Sequence, residues 1–143
     1  MVYADTSVLA SLLMSDSNSD KATDLTSVQV APLLLNRLLK LEVCNAIRLR
    51  VADGDVDESM AAESWDELEC MERSGFCVVR EPDWDRVLRR SIGLSRAHSS
   101  EKRTRTFDIV HVAAALESGA KEFWSFDRRQ RALASEVGLR VNP

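Results

Sequence analysis

The alternation of short β-type runs with longer helical segments is the feature that most constrains the fold of this chain. Runs rich in β-branched and aromatic residues recur along the sequence, and between them lie segments whose apolar residues repeat at helical spacing. This order is typical of a parallel sheet covered by helices, because parallel neighbours need a helical crossover between them. The sequence therefore predicts an α/β fold with a central parallel sheet of about five strands and helices on both faces.

Local signals place the boundaries of these elements. The pair Asp53-Gly54 and the single residues Gly75 and Gly119 mark helix ends. The predicted strands are Val2–Ala4 and residues 28–31, 76–79, 122–126 and 139–141. The predicted helices begin near Ser7 and then cover Ser19–Ser27, residues 33–52, 57–75, 84–98 and 108–119, and Arg128–Glu136, with a polar, basic loop at residues 99–106.

Length and composition predict a single domain over residues 1–143, since 143 residues with 45% hydrophobic and 29% charged side chains can bury one good core. The first residues carry no basic leader, and the sequence has no apolar run of about 18 residues, so we expect neither secretion nor membrane insertion. The three cysteines, Cys44, Cys70 and Cys77, lie in apolar stretches without C-x-x-C spacing. They predict buried, reduced thiols and a cytoplasmic protein.

Charge is divided unevenly along the chain. The net formal charge of −4 argues at first against a nucleic-acid partner, since affinity for phosphates comes largely from Lys and Arg. Residues 1–79 hold 6 basic and 14 acidic side chains, however, whereas residues 80–131 hold 12 basic and 8 acidic ones. Such a division can reflect two differently solvated faces, but it also allows a basic surface that binds phosphates.

Two aspartates directly follow predicted strands. Asp5 comes after the first strand and Asp127 after the strand at residues 122–126, so both stand at the carboxyl end of a parallel strand, where α/β sheets bind ligands. Asp108 stands at the start of a predicted helix. Taken singly, each of the three is better explained as a helix cap, and Gln130, three residues after Asp127, has the spacing of a capping box.

Glu42 is set within an apolar helical stripe. Its neighbours at helical spacing include Leu38, Leu39 and Ala46. Burying an unpaired carboxylate costs several kcal/mol, so this group must be protonated, paired with a cation or bound to a metal ion. No basic residue lies on the same stripe, which leaves a buried Arg from another segment or a metal ion as its partner.

Together, the four acids predict a metal site. Asp5, Glu42, Asp108 and Asp127 supply hard oxygen ligands, which suit Mg²⁺ or Mn²⁺. Zinc is disfavoured because the sequence has only two histidines and no Cys/His ligand spacing. Ions held by carboxylates activate water and stabilise the charge that grows on a phosphodiester, and the chain offers no Ser-His-Asp set or P-loop for a rival chemistry. The sequence therefore predicts a metal-dependent nuclease with these four residues as its catalytic centre.

Basic residues flank two of the acids in the sequence. If both acids face one cleft, these side chains line its rim and hold phosphates while metal ions neutralise its centre. The overall acidity is then no objection to a nucleic-acid substrate. The residues predicted to bind the nucleic acid are Lys102, Arg103 and Arg105, which precede Asp108, and Arg128 and Arg129, which follow Asp127.

Four segments of the chain resemble the PIN domain, and most closely the VapC-like toxin ribonucleases of type II toxin–antitoxin pairs. Each segment is short, but the four occur in the right order, at the right separations, over nearly the whole chain. They are VYADTSVLA with Asp5, LKLEVCNAIR with Glu42, RTFDIVHVAAALESGA with Asp108, and FWSFDRRQRALA with Asp127.

The resemblance implies endonucleolytic cleavage of RNA in a pocket that binds Mg²⁺ or Mn²⁺. It also implies a homodimer and a cognate antitoxin protein whose C-terminal segment occupies the groove. Ser7 is then expected to support the metal site through its hydroxyl, and Ser125, where relatives often carry Thr, to help hold the last acid. His111 occurs in many relatives, and we interpret it here as a residue of helix packing.

Other functions remain open at this point. A phosphoacceptor signalling domain is also a small α/β protein with acids at strand ends, but it needs a strand-end Asp near position 50, whereas Asp53 follows a long helix. A PIN-like domain that binds RNA without cutting it is a second alternative, which the complete set of four acids disfavours. A DNA nuclease of the same family is a third, because the sequence does not rank DNA below RNA as substrate.

Overall fold

A five-stranded, all-parallel sheet forms the centre of the protein, as the sequence predicts. The computed structural model describes residues 1–28 and 31–143. The strand order is β3-β2-β1-β4-β5, and each neighbouring pair runs parallel. The strands are β1 (Val2–Ala4), β2 (Leu33–Leu35), β3 (Cys77–Val79), β4 (Glu122–Trp124) and β5 (Arg140–Asn142).

Helices connect the strands and pack in two groups. The first four contact one another, with α1 touching α2, α3 and α4, while the last three form a separate group. Because parallel crossovers are right-handed and the chain reverses its direction across the sheet after β3, the two groups cover opposite faces. The helices are α1 (Thr6–Leu13), α2 (Ser19–Ser27), α3 (Arg37–Ala52), α4 (Glu58–Arg73), α5 (Trp84–Lys102), α6 (Thr106–Glu117) and α7 (Arg128–Glu136).

The core surrounds β1, the middle strand, and its neighbour β2. All three residues of β1 and all three of β2 are buried, as expected for strands with helices on both sides. The rings of Tyr3 and Phe123 stack with their centroids 5.6 Å apart and so join β1 to β4. Helix α6 is apolar around most of its circumference and is buried from Asp108 through Ala115, which makes it the most enclosed helix among the described residues.

The topology places a crevice between β1 and β4. From β1 the chain extends the sheet in one direction through β2 and β3, and it then returns to build β4 and β5 on the other side of β1. Ligands bind outside the carboxyl ends of parallel strands at such a switch point. The residues that follow β1 and β4 here include Asp5 and Asp127.

The second strand lies further along the chain than the sequence predicts. Residues 29 and 30 of the predicted strand 28–31 lie outside the described residues, and Val28 follows the end of α2. The strand is instead Leu33–Leu35, which was predicted as the start of a helix. Asn36 explains the difference, because its side chain accepts a hydrogen bond from the backbone of Leu39 at 2.9 Å and starts α3 after the leucine run.

The predicted loop at residues 99–106 is also largely helical. Helix α5 continues to Lys102, and α6 begins at Thr106. Arg103 adopts a left-handed conformation with φ of 53° and donates its backbone N–H to the carbonyl of Ser99, which ends α5. The polar composition of residues 99–102 thus reflects an exposed helical turn.

Two of the three cysteines differ from prediction. All three are free thiols, and Cys77 is buried, but Cys44 on α3 and Cys70 on α4 are exposed. Each is adjacent in sequence to a buried apolar residue, Val43 or Met71, without being buried itself, so the surrounding sequence was a poor guide to their burial. No helix in the described part of the chain is long and apolar enough to cross a membrane.

Candidate metal centre

The four predicted acids line one cleft at the carboxyl edge of the sheet. Its volume is about 570 Å³. Asp5 and Asp127 enter from the ends of β1 and β4, whereas Glu42 reaches it from the first turns of α3 and Asp108 from the first turn of α6. The other lining residues are Thr6, Ser7, Arg105, Thr106, Phe107, His111 and Gln130.

Asp5 is the deepest of the four acids, with only 2% of its surface exposed. Its Oδ1 accepts hydrogen bonds from the Ser7 hydroxyl at 2.6 Å and from the backbone N–H groups of Ser7 and Val8. Its Oδ2 accepts from the Ser125 hydroxyl at 2.7 Å. Burial raises the pKa of the Asp5 carboxyl, and the hydrogen bonds from Ser7 and Ser125 only partly oppose that rise.

The two serines also fasten the end of β4 to the start of α1. The hydroxyl oxygen of Ser7 accepts the backbone N–H of Phe126 at 2.9 Å, and that of Ser125 accepts the backbone N–H of Asp127 at 2.9 Å. Each hydroxyl therefore donates to Asp5 while it accepts from the segment that carries Asp127. This arrangement fixes the relative positions of two acids that are 122 residues apart in sequence.

Glu42 is half-buried and paired, but its partner is not the Arg that the sequence left open. Its Oε2 accepts hydrogen bonds from the Thr6 hydroxyl at 2.5 Å and from Nε2 of His111 at 2.6 Å. Burial raises the pKa of the Glu42 carboxyl, but its interactions with His111 and the hydrogen bond from the Thr6 hydroxyl outweigh burial and leave the pKa lowered. Glu42 is thus held as a carboxylate by its neighbours.

His111 belongs to a buried chain of polar groups behind Glu42. Its Nδ1 lies 2.9 Å from the Tyr3 hydroxyl, and the side-chain amide of Asn36 donates to the oxygen of that hydroxyl at 3.5 Å. If Nε2 donates to Glu42, Nδ1 accepts the hydrogen bond of the Tyr3 hydroxyl, and Glu42, His111 and Tyr3 each have a hydrogen-bond partner. His111 is buried, as expected of a packing residue, and it also orients Glu42, which the sequence did not predict.

The side chain of Arg129 lies near both Asp108 and Asp127. Nε of Arg129 lies 4.0 Å from Oδ2 of Asp108 and 3.8 Å from Oδ1 of Asp127. Asp108 also accepts the backbone N–H of Arg105 at 2.8 Å, while the side-chain amide of Gln130 approaches its other oxygen at 3.4 Å. The Arg129 side chain therefore occupies part of the region that a bound cation would neutralise.

The helix-cap interpretation is correct for two of the acids without excluding them from the cleft. Asp5 is the N-cap of α1 and Asp127 is the N-cap of α7, and each accepts two backbone N–H groups. Asp108 occupies the third position of α6 and bonds back to the N-cap backbone. Capping explains why these acids tolerate burial, but it does not explain why all of them converge with Glu42.

The donor set of the cleft suits a hard divalent cation. Among the described residues, the cleft holds four carboxylates against one histidine and two arginines, so its formal charge is negative. Oε1 of Gln130 is buried in the cleft wall and has no hydrogen-bond partner among the described residues, which leaves an acceptor oxygen beside Asp108. As the side chains lie, however, no three Asp, Glu, His or Cys residues in the described ranges form a ready cluster for an ion. The carboxylates fit Mg²⁺ or Mn²⁺ by the chemistry of their oxygens, and in this structure those oxygens accept hydrogen bonds from protein groups.

The predicted basic residues do not all lie at the cleft. Arg105 lines it and Arg129 contacts two of its acids. Arg128 is exposed, and Lys102 is paired with Glu136 at 3.2 Å. Arg103 is exposed at the end of α5, and it does not line the cleft.

Five of the lining residues were absent from the sequence-based site: Thr6, Thr106, Phe107, His111 and Gln130. Thr6 binds Glu42, Gln130 contacts Asp108, and Phe107 exposes its ring at the mouth of the cleft. Thr6 and Phe107 are each adjacent in sequence to a predicted acid, and Gln130 was read only as a capping partner. Adjacency to a predicted acid was the signal available for Thr6 and Phe107.

Comparison with known proteins assigns the chain to a family. The PIN domain pattern matches residues 2–136, so the protein belongs to the PIN domain family. PIN domains are typically nucleases that use divalent metal ions. No curated protein matches the chain.

Solved structures support the same fold. VapC20 from Mycobacterium tuberculosis, described as a sarcin–ricin loop cleaving toxin, matches with a TM-score of 0.71 and 17% identity over 100% of both chains. PAE2754 from Pyrobaculum aerophilum matches with a TM-score of 0.62 and 20% identity over 98% of this chain and 87% of its own. FitAcB from Neisseria gonorrhoeae matches with a TM-score of 0.63 and 16% identity over 100% of this chain and 97% of its own.

Proposed function

We propose that the protein is a metal-dependent endoribonuclease. One observation carries the proposal: Asp5, Glu42, Asp108 and Asp127 come from four distant segments and meet in one cleft at the switch point of a parallel sheet. A structural role for each acid singly does not account for their meeting, since collecting like charges is unfavourable unless a cation binds there. PIN domain membership supports the same chemistry.

The four acids are the proposed ligands of Mg²⁺ or Mn²⁺, and such an ion activates water and neutralises charge on a phosphodiester. Ser7 and Ser125 hold Asp5 in position, and Thr6 with His111 holds Glu42.

Arg105 at the lip and Arg129 beside two acids are the basic groups best placed to bind substrate phosphates. Arg103 and Arg128 extend this basic rim, and Lys102 joins it if RNA displaces its pairing with Glu136.

We further propose that the nuclease acts as the toxin of a type II toxin–antitoxin pair. The likeness to VapC-type structures and the family segments described above support this assignment. On this proposal the protein forms a homodimer and is inhibited by a cognate antitoxin that covers the acidic cleft. RNA then cannot reach the four acids, and cleavage stops.

Cleavage assays with purified protein test the nuclease proposal. End-labelled RNA is incubated with Mg²⁺ or Mn²⁺, with excess EDTA, and with EDTA followed by excess Mn²⁺. We expect internal cuts that need the metal and return with Mn²⁺. Undiminished cutting in EDTA would contradict the metal mechanism, and tight binding without any cutting would favour the RNA-binding alternative. A DNA strand of the same sequence, assayed in parallel, separates RNA from DNA nuclease activity.

A matched variant distinguishes the site from helix capping. Asp57 caps α4 through a hydrogen bond from the backbone of Met60 at 2.8 Å, as Asp5 caps α1, but it does not line the cleft. Asn caps a helix about as well as Asp. We therefore expect Asp5→Asn and Asp108→Asn to abolish cleavage, and Asp57→Asn to leave it unchanged. Equal activity in all three variants would remove these acids from the site.

A further inference from the structure

Phe107 is the one aromatic side chain that the core does not use. All eight aromatic residues belong to the described part of the chain. Seven are buried in the core or packed against it. Phe107 has 56% of its surface exposed and is absent from that packing. Phenylalanine is usually buried in a folded protein. An exposed Phe can therefore mark a surface that binds a ligand or partner.

Phe107 lines the mouth of the acidic cleft. It stands between Arg105, the N-cap residue of α6, and Asp108, which is almost fully buried. The same short segment therefore presents a cation, an aromatic ring and a carboxylate to one cleft. Arg129 adds a second cation on the side of Asp127. A ring beside cations that can hold phosphates is the pattern with which proteins bind unpaired nucleotides.

We propose that Phe107 is a base-stacking platform that positions the substrate at this site. One unpaired base of the substrate lies against the Phe107 ring, while the adjoining phosphates contact Arg105 and Arg129. This inference rests on the proposed nuclease function and assigns a positioning residue to it.

The chemistry of stacking explains why the platform favours unpaired RNA. Every base has a π-face, so a single ring accepts any of the four without reading its hydrogen-bonding edge. A base within an A-form duplex is already stacked on both sides and must be extruded to reach the ring. The platform therefore disfavours duplex substrate without demanding a particular sequence at that position.

Binding measurements on Phe107 variants test the proposal. A fluorescently labelled 12-nucleotide RNA of mixed sequence is titrated with protein in Ca²⁺, and a gel checks that the RNA stays intact. Phe107→Ala should weaken binding of the single strand by roughly 5- to 150-fold, the factor expected for loss of one stacked base. Phe107→Trp and Phe107→Tyr should retain wild-type affinity, whereas Phe107→Leu, which keeps apolar bulk without a π-face, should resemble the Ala variant.

A control variant and a second substrate make the test specific. Leu49 is 55% exposed on α3 and does not line the cleft, so Leu49→Ala should leave the affinity unchanged. The same RNA annealed to its complement should bind more weakly to the wild type, and Phe107→Ala should reduce that difference. Unchanged single-strand affinity in Phe107→Ala, or full affinity in Phe107→Leu, would overturn the stacking proposal.

The outcomes also separate this inference from the nuclease proposal. If the wild type cuts RNA and Phe107→Ala binds and cuts equally well, only the stacking platform is refuted. If the wild type neither binds nor cuts any RNA with Mg²⁺ or Mn²⁺, the nuclease proposal fails and the platform fails with it. Melting curves of the Phe107 variants should stay close to the wild type, since the ring is more than half exposed and does not pack against the core.

Discussion

Nε2 of His111 lies 2.6 Å from Oε2 of Glu42, and this contact joins α6 to α3 across the acidic cleft. On its far side the histidine ring meets the Tyr3 hydroxyl in the first strand. A single side chain thus connects an acid of the candidate site to the middle of the sheet. The orientation of Glu42 consequently depends on the core.

The first prediction concerns His111→Phe. Phenylalanine fills a similar volume but neither donates nor accepts a hydrogen bond, so Glu42 loses a partner and the Tyr3 hydroxyl loses its acceptor. We expect the free energy of unfolding to fall by about 2–4 kcal/mol, the sum of one charge-assisted and one neutral hydrogen bond. Urea denaturation measures this change.

Tyr3→Phe is the matched control, because it removes only the far hydroxyl and leaves Glu42 bonded to His111. A loss of about 1 kcal/mol is expected there. If His111 served packing alone, His111→Phe would cost no more than Tyr3→Phe, and that result would contradict an orienting role.

The second prediction is that neutralising Asp5 and neutralising Glu42 have opposite effects on stability without metal. Burial raises the pKa of Asp5, so its carboxylate destabilises the folded state at neutral pH. Asp5→Asn should therefore stabilise the protein at pH 7 by about 0.5–2 kcal/mol. His111 and Thr6 outweigh burial and lower the pKa of Glu42, so Glu42→Gln should cost about 1–3 kcal/mol at the same pH.

The pH dependence of the two effects follows from the same shifts. A raised folded pKa gives stability that is full below the unfolded pKa and is lost as pH rises through the folded value, so the gain from Asp5→Asn should shrink in acid. A lowered folded pKa gives stability that is present above the unfolded value and lost as pH falls, so the cost of Glu42→Gln should also shrink in acid. Denaturant curves in EDTA at neutral and acidic pH test both, and effects of the same sign at pH 7 would contradict the assignment.

The sequence predicted the fold well because its signals are local and repeated. Alternating β-type and helical runs are sufficient to predict a parallel α/β sheet, and the bounds of α2 and α7 agree with the pattern. The second strand was misplaced because the buried run Leu33–Leu35 has no periodicity that separates a strand from a helix. The side chain of Asn36 caps α3 and so ends the strand before it. Capping depends on backbone geometry, which the amino-acid sequence does not state directly.

The structure brings the four acids of the predicted site to one cleft, but the sequence did not predict the side chains that contact them. The sequence signals were two acids after strands, one at a helix start and one on an apolar helical stripe. The partners of those acids were not accessible, since the contact between His111 and Glu42 spans 69 residues and that between Ser125 and Asp5 spans 120. Such pairs depend on the order of the strands in the sheet. The local pattern of the sequence does not determine that order.

The third prediction concerns toxicity, and it follows from the proposed toxin function. Expression of the wild-type chain in a bacterial host should slow growth, whereas Asp108→Asn, at equal protein level, should not. On the same proposal, co-expression of a small neighbouring-gene product that acts as the antitoxin should restore growth, because it would cover the cleft. Harmless expression of a demonstrably active nuclease would place the protein among PIN ribonucleases outside the toxin group.

The last prediction concerns Arg129, which should oppose metal binding while it supports RNA binding. Its guanidinium lies near Asp108 and Asp127 and so competes with a cation for the same oxygens. The side chain is 37% exposed, so solvent screens much of this effect. Arg129→Ala should tighten Mn²⁺ binding by roughly 1.5- to 5-fold, seen as a larger increase of Tm at a fixed Mn²⁺ concentration.

The same variant should weaken RNA binding, and loss of one phosphate contact should reduce the log–log salt slope by roughly one unit. Arg128 is the neighbouring control, since it is exposed and makes no ion pair among the described residues. Arg128→Ala should lower the salt slope without changing the Mn²⁺ effect, because its charge is not directed at the acids. If Arg129→Ala left both metal affinity and salt slope unchanged, its guanidinium would be a solvated surface group whose proximity to the two acids has no functional consequence.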